Sequence, residues 1–153
     1  MTGLSTLRVI DADADMQEGL AHLAATDPVW AAVLPEIGPL PLRRREDGFA
    51  AILGAVVSQQ LSTHAADAIA RKLQAAGLTD PTAIAAAGDE ALRACGLSVQ
   101  KIRYLRGIAA ASPDWAALRA MPDDEVLDTL IALPGIGRWT AEIYLKFALG
   151  RAD

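Results

Sequence analysis

Apolar residues along the chain fall into short blocks with helical rather than alternating spacing, and glycine, proline or a short polar side chain closes each block. Met16, Leu20, Leu23 and Ala24 recur at that spacing behind Asp13 and Asp15, either of which can cap the start of a helix. His22 lies beside this stripe with no second ligand near it in sequence, so it reads as a partly buried helix residue. Residues 33–47 carry Pro35, Pro39 and Pro41; they cannot continue a helix and predict an extended crossing segment. Residues 48–58 are almost wholly apolar, too short to span a bilayer, and predict the central buried helix. Ser62 then caps a helix that closes at Gly77, Asp80 and Pro81 open a short one, and another lies between Gly88 and Gly96. Ser98 begins a longer helix that turns Ile102, Leu105 and Ile108 inward and leaves Lys101, Arg103 and Arg106 off the stripe. A small helix follows Ser112 and Pro113, around Trp115 and Leu118. Asp123 or Asp124 starts the next, with Val126, Leu127, Leu130 and Ile131 on one face. It halts at residues 133–137, LPGIG, and a further helix restarts at once and runs to residue 149. Two helices joined this tightly pack as an antiparallel or steeply crossed pair.

With 52% hydrophobic but only 5% aromatic residues, abundant alanine and thinly spread valine and isoleucine, the 153-residue chain suits close-packed helices rather than a sheet. The fold class expected is all-α, an orthogonal helix array with a helix-hairpin-helix motif near the C-terminus. Residues 1–42 read as an acidic helical segment with the proline-rich crossing, and residues 43–153 as the main helical domain. The lone cysteine, Cys95, excludes an intrachain disulfide or a cysteine metal cluster, fits a reducing cytoplasm and reads as a small buried apolar residue. No basic region leads into an apolar run at the N-terminus and nowhere do about 18 apolar residues run together, so neither export nor a membrane partner is expected.

The net charge of −5 argues against a broad basic surface. Residues 1–42 hold one base, Arg8, against six acids, so residues 43–153 balance with 13 bases and 13 acids. Attraction to a polyanion would then depend on placed contacts rather than on bulk charge. Two places could supply them. The LPGIG loop is either a tight interhelix turn or a phosphate site, in which Gly135 and Gly137 let the amides at the start of the second helix face outward and Arg138 and Thr140 flank them. The SQQLS stretch, residues 58–62, is either a polar helix terminus or a wedge, a glutamine projecting from a rigid helix end into a duplex.

Three stretches, FAAILGAVVSQQLS, GLSVQKIRYLRGIA and LPGIGRWTAEIYLKFALGRAD, resemble in order and separation the helix-hairpin-helix DNA glycosylases of the HhH-GPD superfamily. The resemblance covers residues 43–153, and WTAEIYL points to the branch that removes 3-methyladenine and other alkylated bases. It implies a monofunctional base-excision repair enzyme that hydrolyses the N-glycosidic bond of alkylated purines in double-stranded DNA, acting as a monomer in a bacterial-type, nucleoid-containing cytoplasm. By the same resemblance Gly135 and Gly137 offer amides to a phosphate, with Arg138 and Thr140 beside them. Gln60, or else Gln59 or Leu61, enters the duplex. Trp139 lines the pocket for the flipped base, where its ring face would attract a cationic alkylpurine by about 0.5–2 kcal/mol; the alternative is an indole packed between helices. Tyr144 is placed in the same pocket, although the family's aromatic on this helix falls one residue earlier, at Ile143.

The family often holds a monovalent cation, sodium or potassium, on hairpin carbonyls, here those of Leu133 and Gly135; no other cofactor is implied. The resemblance places the essential aspartate beyond Asp153, which is not assigned the role, so the chain as given is expected to be incomplete at its C-terminus and inactive alone. No lysine stands where bifunctional relatives carry a nucleophile, and Glu142 and Lys146 read as a helical ion pair. Two other readings remain open: a non-catalytic DNA-binding hairpin module, and an inactive fragment of the enzyme.

Overall fold

The computed structural model describes residues 8–152; residues 1–7, the start of the acidic segment, and Asp153 lie outside the described residues. Regular structure among the described residues is helical, apart from an isolated antiparallel bridge between Val9 and Arg151, so the fold is all-α. None of the described helices is long and apolar enough to cross a membrane. The chain divides into two compact units, residues 1–44 with 150–153, and residues 45–149.

The first unit is a pair of helices, α1 (Asp13–Thr26) and α2 (Pro28–Ile37), neither of which contributes a fully buried side chain. The cap of α1 is Ala12, not Asp13 or Asp15. Asp15 acts from inside the first turn, where its carboxylate accepts the Asp11 and Ala12 amides at 2.9 Å each; these bonds hold its pKa below the usual carboxylate value. His22 is exposed rather than partly buried. Asp27 caps α2 by accepting the Val29 amide at 2.8 Å, with Pro28 at the first helical position. The predicted extended crossing begins later than residue 33, because α2 runs through Pro35 to Ile37. Pro35 stands in the last turn, so the helix forfeits one backbone bond near an end that is about to stop. Gly38 at φ 71° ends it, and residues 39–47 are non-helical.

In the second unit α3 (Phe49–Ser58) is the central helix, burying Phe49, Ile52, Leu53, Val56 and Val57. Around it stand α4 (Thr63–Ala75), α5 (Pro81–Ala86), α6 (Asp89–Ala94), α7 (Val99–Ala111), α8 (Trp115–Leu118), α9 (Asp123–Ile131) and α10 (Arg138–Ile143). Short polar side chains start several of them as the sequence predicts: Ser62 accepts the Ala65 amide, Asp80 that of Ala83 and Ser98 that of Lys101. Asp114 does the same for α8, accepting the Ala117 amide. Pro122, not an aspartate, precedes α9; Asp123 and Asp124 lie in its first turn, where the helix dipole favours a carboxylate. Val126 and Leu130 of α9 are buried, whereas Ile131 is 41% exposed, so the inward face of α9 is narrower than its apolar pattern. Cys95 is buried, as its composition class suggests. The last predicted helix changes character midway: α10 passes at Tyr144–Ala148 into a π-helical turn closed by the Leu149 amide bonding the Tyr144 carbonyl at 3.1 Å.

Candidate functional site

The loop between α9 and α10 is pinned by apolar anchors and two backbone bonds. Leu133 and Ile136 are buried; the Leu133 amide bonds the Leu130 carbonyl at 3.0 Å, and the Ile136 amide bonds that of Leu133 at 3.2 Å. Gly135 lies at φ 77°, and a Cβ there would fall inside the Tyr104 ring of α7, so glycine is required by conformation and by contact together. One turn further along α7, a Cβ on Gly107 would stand 2.6 Å from Pro134 Cγ, so this helix supports the loop at two points. Gly137 differs: its φ is −90° and no atom lies within 4 Å of a Cβ built on it. It caps α10 without a side chain, so the amides of the first turn have no acceptor within the helix and no capping side chain.

Side chains on α10 then sort by face. Arg138, Trp139 and Glu142 point outward, and Thr140 and Ala141 inward. Thr140 was expected to flank a phosphate with its hydroxyl; its side chain is buried, which leaves only the backbone amide to serve there. Arg138 Nε donates to Glu142 at 2.8 Å in an exposed pair, so Glu142 is partnered one turn back rather than with Lys146. Trp139 is 72% exposed and is not packed between helices. Tyr144 is a core residue: its hydroxyl accepts the Gly48 amide at 2.9 Å, its ring lies 6.2 Å from that of Trp115, and burial raises its pKa. A small pocket on the inner side of α10 is lined by Thr140, Ile143, Tyr144 and Phe147 with Ala51 and Ala55 of α3. Trp139 is not among the residues that line this small pocket beside Tyr144.

The α3–α4 connection is a turn of type II geometry. The Leu61 amide bonds the Ser58 carbonyl at 3.2 Å, Gln59 sits at φ −54° and ψ 127°, and Gln60 at φ 58°. The third position of such a turn ordinarily holds glycine or asparagine, because a left-handed residue with a side chain costs about 1–2 kcal/mol. The three wedge candidates separate here. Gln60 is exposed at the corner and Leu61 is 40% exposed, whereas Gln59 is half-buried and its Nε2 donates to the Gly135 carbonyl at 2.9 Å. That bond joins the two turns. Lys101 of α7 secures the same place: Nζ donates to the carbonyls of Val57 at 2.6 Å and Gln59 at 2.9 Å. Sequence reasoning set Lys101 aside as lying off the apolar stripe. The three-residue spacing of Lys101, Tyr104 and Gly107 was visible, but nothing local names their partners on two other segments.

The carbonyls expected to hold a monovalent cation are engaged. That of Leu133 accepts the Ile136 amide and that of Gly135 accepts the Gln59 carboxamide. Each of the two carbonyl oxygens keeps a second lone pair beside the bond it accepts. No group of three or more histidine, cysteine, aspartate or glutamate residues is placed to hold a metal among the described residues.

Residues 53–143 match the family described as HhH-GPD superfamily base excision DNA repair protein. The chain is 31% identical over 144 residues to DNA-3-methyladenine glycosylase 1 of Schizosaccharomyces pombe, a match covering 86% of the chain and 63% of that relative. The solved structure of the 3-methyladenine DNA glycosylase of that organism in complex with abasic DNA superposes with a TM-score of 0.77 at 32% identity, covering 89% of this chain and 72% of that one. DNA-3-methyladenine glycosidase from Bacillus halodurans gives a TM-score of 0.73 at 30% identity, over 96% of this chain and 70% of that one.

Proposed function

The chain belongs to the HhH-GPD superfamily of base excision DNA repair proteins, and on that footing we propose that it reads damaged duplex DNA for hydrolytic removal of an alkylated purine such as 3-methyladenine. The observation that carries this reading is the 2.9 Å bond from Gln59 to the Gly135 carbonyl, which ties a turn presenting an exposed glutamine to a loop presenting unpaired amides. A binder of the backbone alone needs the loop but not the turn.

In this reading the first-turn amides of α10 and its dipole hold a phosphate beside the lesion. Gln60 enters the duplex and occupies the place of the extruded base, offsetting part of the few kcal/mol lost in unstacking and unpairing. Trp139, with most of its ring in solvent, offers an electron-rich face to a base that carries positive charge. Such bases are already good leaving groups, so cleavage depends more on a carboxylate that stabilises oxocarbenium-like charge on the sugar than on a strong general acid. We assign that role to no described carboxylate: Glu142 on α10 is paired with Arg138, and Asp47 holds Arg119. The net charge of −5 suits recognition through placed contacts by a monomer, and the single buried cysteine suits a reducing cytoplasm.

The test has two arms. Equilibrium binding of the chain to duplexes with and without an abasic-site analogue should favour the lesion, and equal affinities would refute recognition of an extruded base. Release of free 3-methyladenine from alkylated DNA should then be followed for this chain and for a version extended at its C-terminus. Preference for the lesion without release by either protein would leave a binding module.

A further inference from the structure

The turn that carries Gln60 is held from an unexpected side. The Val57 and Gln59 carbonyls at the end of α3 have no donor within the helix, and they lie at the negative end of its dipole. The Lys101 ammonium, reaching from the first turn of α7, donates to both, at 2.6 and 2.9 Å. These carbonyls bracket Ser58, the first residue of the type II turn, and the second belongs to the residue immediately before Gln60. The peptide between Gln59 and Gln60 is the one whose orientation defines that turn type, and its carbonyl is the one that Lys101 grips. Burial lowers the pKa of Lys101, as befits an ammonium that trades water for carbonyl oxygens. Two residues further along the same face of α7, in steps of three, Tyr104 and Gly107 support the hairpin loop.

We propose that Lys101 is the positioning residue of the base-extruding turn: by holding the Val57 and Gln59 carbonyls it fixes the Gln59–Gln60 peptide, keeps Gln60 left-handed and leaves its side chain aimed outward. The proposal rests on the wedge role given to Gln60 above. In this proposal Lys101 acts through the backbone and not on the DNA: two of its three ammonium donors are spent on the Val57 and Gln59 carbonyls. One helix then sets both DNA-facing turns, the wedge through Lys101 and the hairpin through Tyr104 and Gly107.

The experiment uses the full chain, with duplexes carrying an abasic-site analogue opposite 2-aminopurine and matched undamaged duplexes. Lys101→Met, which keeps the apolar stem, should lower affinity for the lesion by up to about fivefold, the size of about one net hydrogen bond and no more than the loss of Gln60 itself. It should also shrink the fluorescence change that reports unstacking. Affinity for undamaged DNA and the salt dependence of binding should stay as in the parent, because no phosphate contact is lost. Lys101→Arg, still charged and able to reach a carbonyl, should recover most of the lesion preference. If Lys101 acts through Gln60, then Lys101→Met introduced into Gln60→Ala should cost nothing further.

Equal losses on both duplexes with a shallower salt slope would make Lys101 a phosphate contact and overturn the proposal. Full additivity with Gln60→Ala would overturn it as well. Thermal unfolding of each variant accompanies the binding, and should Lys101→Met not fold, Lys101→Gln carries the same comparison. A parent chain that does not prefer the lesion at all would refute the wedge reading itself, and this inference with it; a parent that does, matched by an unimpaired Lys101→Met, would refute the inference alone.

Discussion

Among the turns of the second unit that place a residue in left-handed backbone, two make opposite choices of side chain. In the loop between α9 and α10 the residue is Gly135 at φ 77°; in the turn between α3 and α4 it is Gln60 at φ 58°. At Gly135 the absence of a side chain is forced by the Tyr104 ring. At Gln60 the side chain is exposed and the same conformational strain is retained, although glycine would fit the turn better. A strained position kept by a long polar side chain is the pattern of a site where the side chain has work outside the fold. In the proposed reading the hairpin works through its amides and the other turn through its glutamine; the bond from Gln59 to the Gly135 carbonyl fastens one to the other.

The largest effect that can break this contrast is Gly135→Ala. A methyl group inside the Tyr104 ring at a positive φ should destabilise the unit by about 3 kcal/mol or more, visible as a large drop in the denaturant midpoint. Gly137→Asp tests the other glycine. With open space around it and φ −90°, the fold should survive within about 0.5 kcal/mol, while a carboxylate set before the amides should weaken binding to all duplexes about tenfold or more. Unchanged DNA binding by folded Gly137→Asp would reduce the loop to a connector.

Gln60→Ala should lower affinity for abasic-site DNA about fivefold and leave undamaged duplex nearly untouched. Gln59→Ala serves as the contrast: it releases the bond to Gly135, so both kinds of binding should weaken slightly. The smallest effect is the sharpest. Gln60→Gly should raise stability by about 0.5–1 kcal/mol, because strain is relieved, and still lose the lesion preference as Gln60→Ala does.

Much of this was readable in the sequence because it is local. Ser62, Asp80 and Ser98 cap the helices they precede, and residues 48–58 form the buried centre, since caps and apolar spacing act within one turn. The hairpin was legible in LPGIG, and the exposure of Gln60 in the improbability of burying a carboxamide after so apolar a run. What escaped depends on a partner distant in sequence. The Gln59 side chain is drawn inward by meeting Gly135, 76 residues away, and Lys101 matters through carbonyls more than 40 residues upstream. Thr140 of α10 and Tyr144 of the π-helical turn are buried by packing against distant parts of the chain, which no spacing rule reports. Pro35 misled in the other direction, since a proline in the closing turn of a helix removes little.

The joined turns are tested most directly by the ratio of affinities for abasic-site and undamaged duplex, measured under one salt condition for the parent, Gln60→Gly and Gly137→Asp. The parent should prefer the lesion; Gln60→Gly should bind both duplexes alike with the undamaged affinity of the parent; Gly137→Asp should bind both more weakly. A lesion preference that survives intact in Gln60→Gly would contradict the division of labour between the two turns.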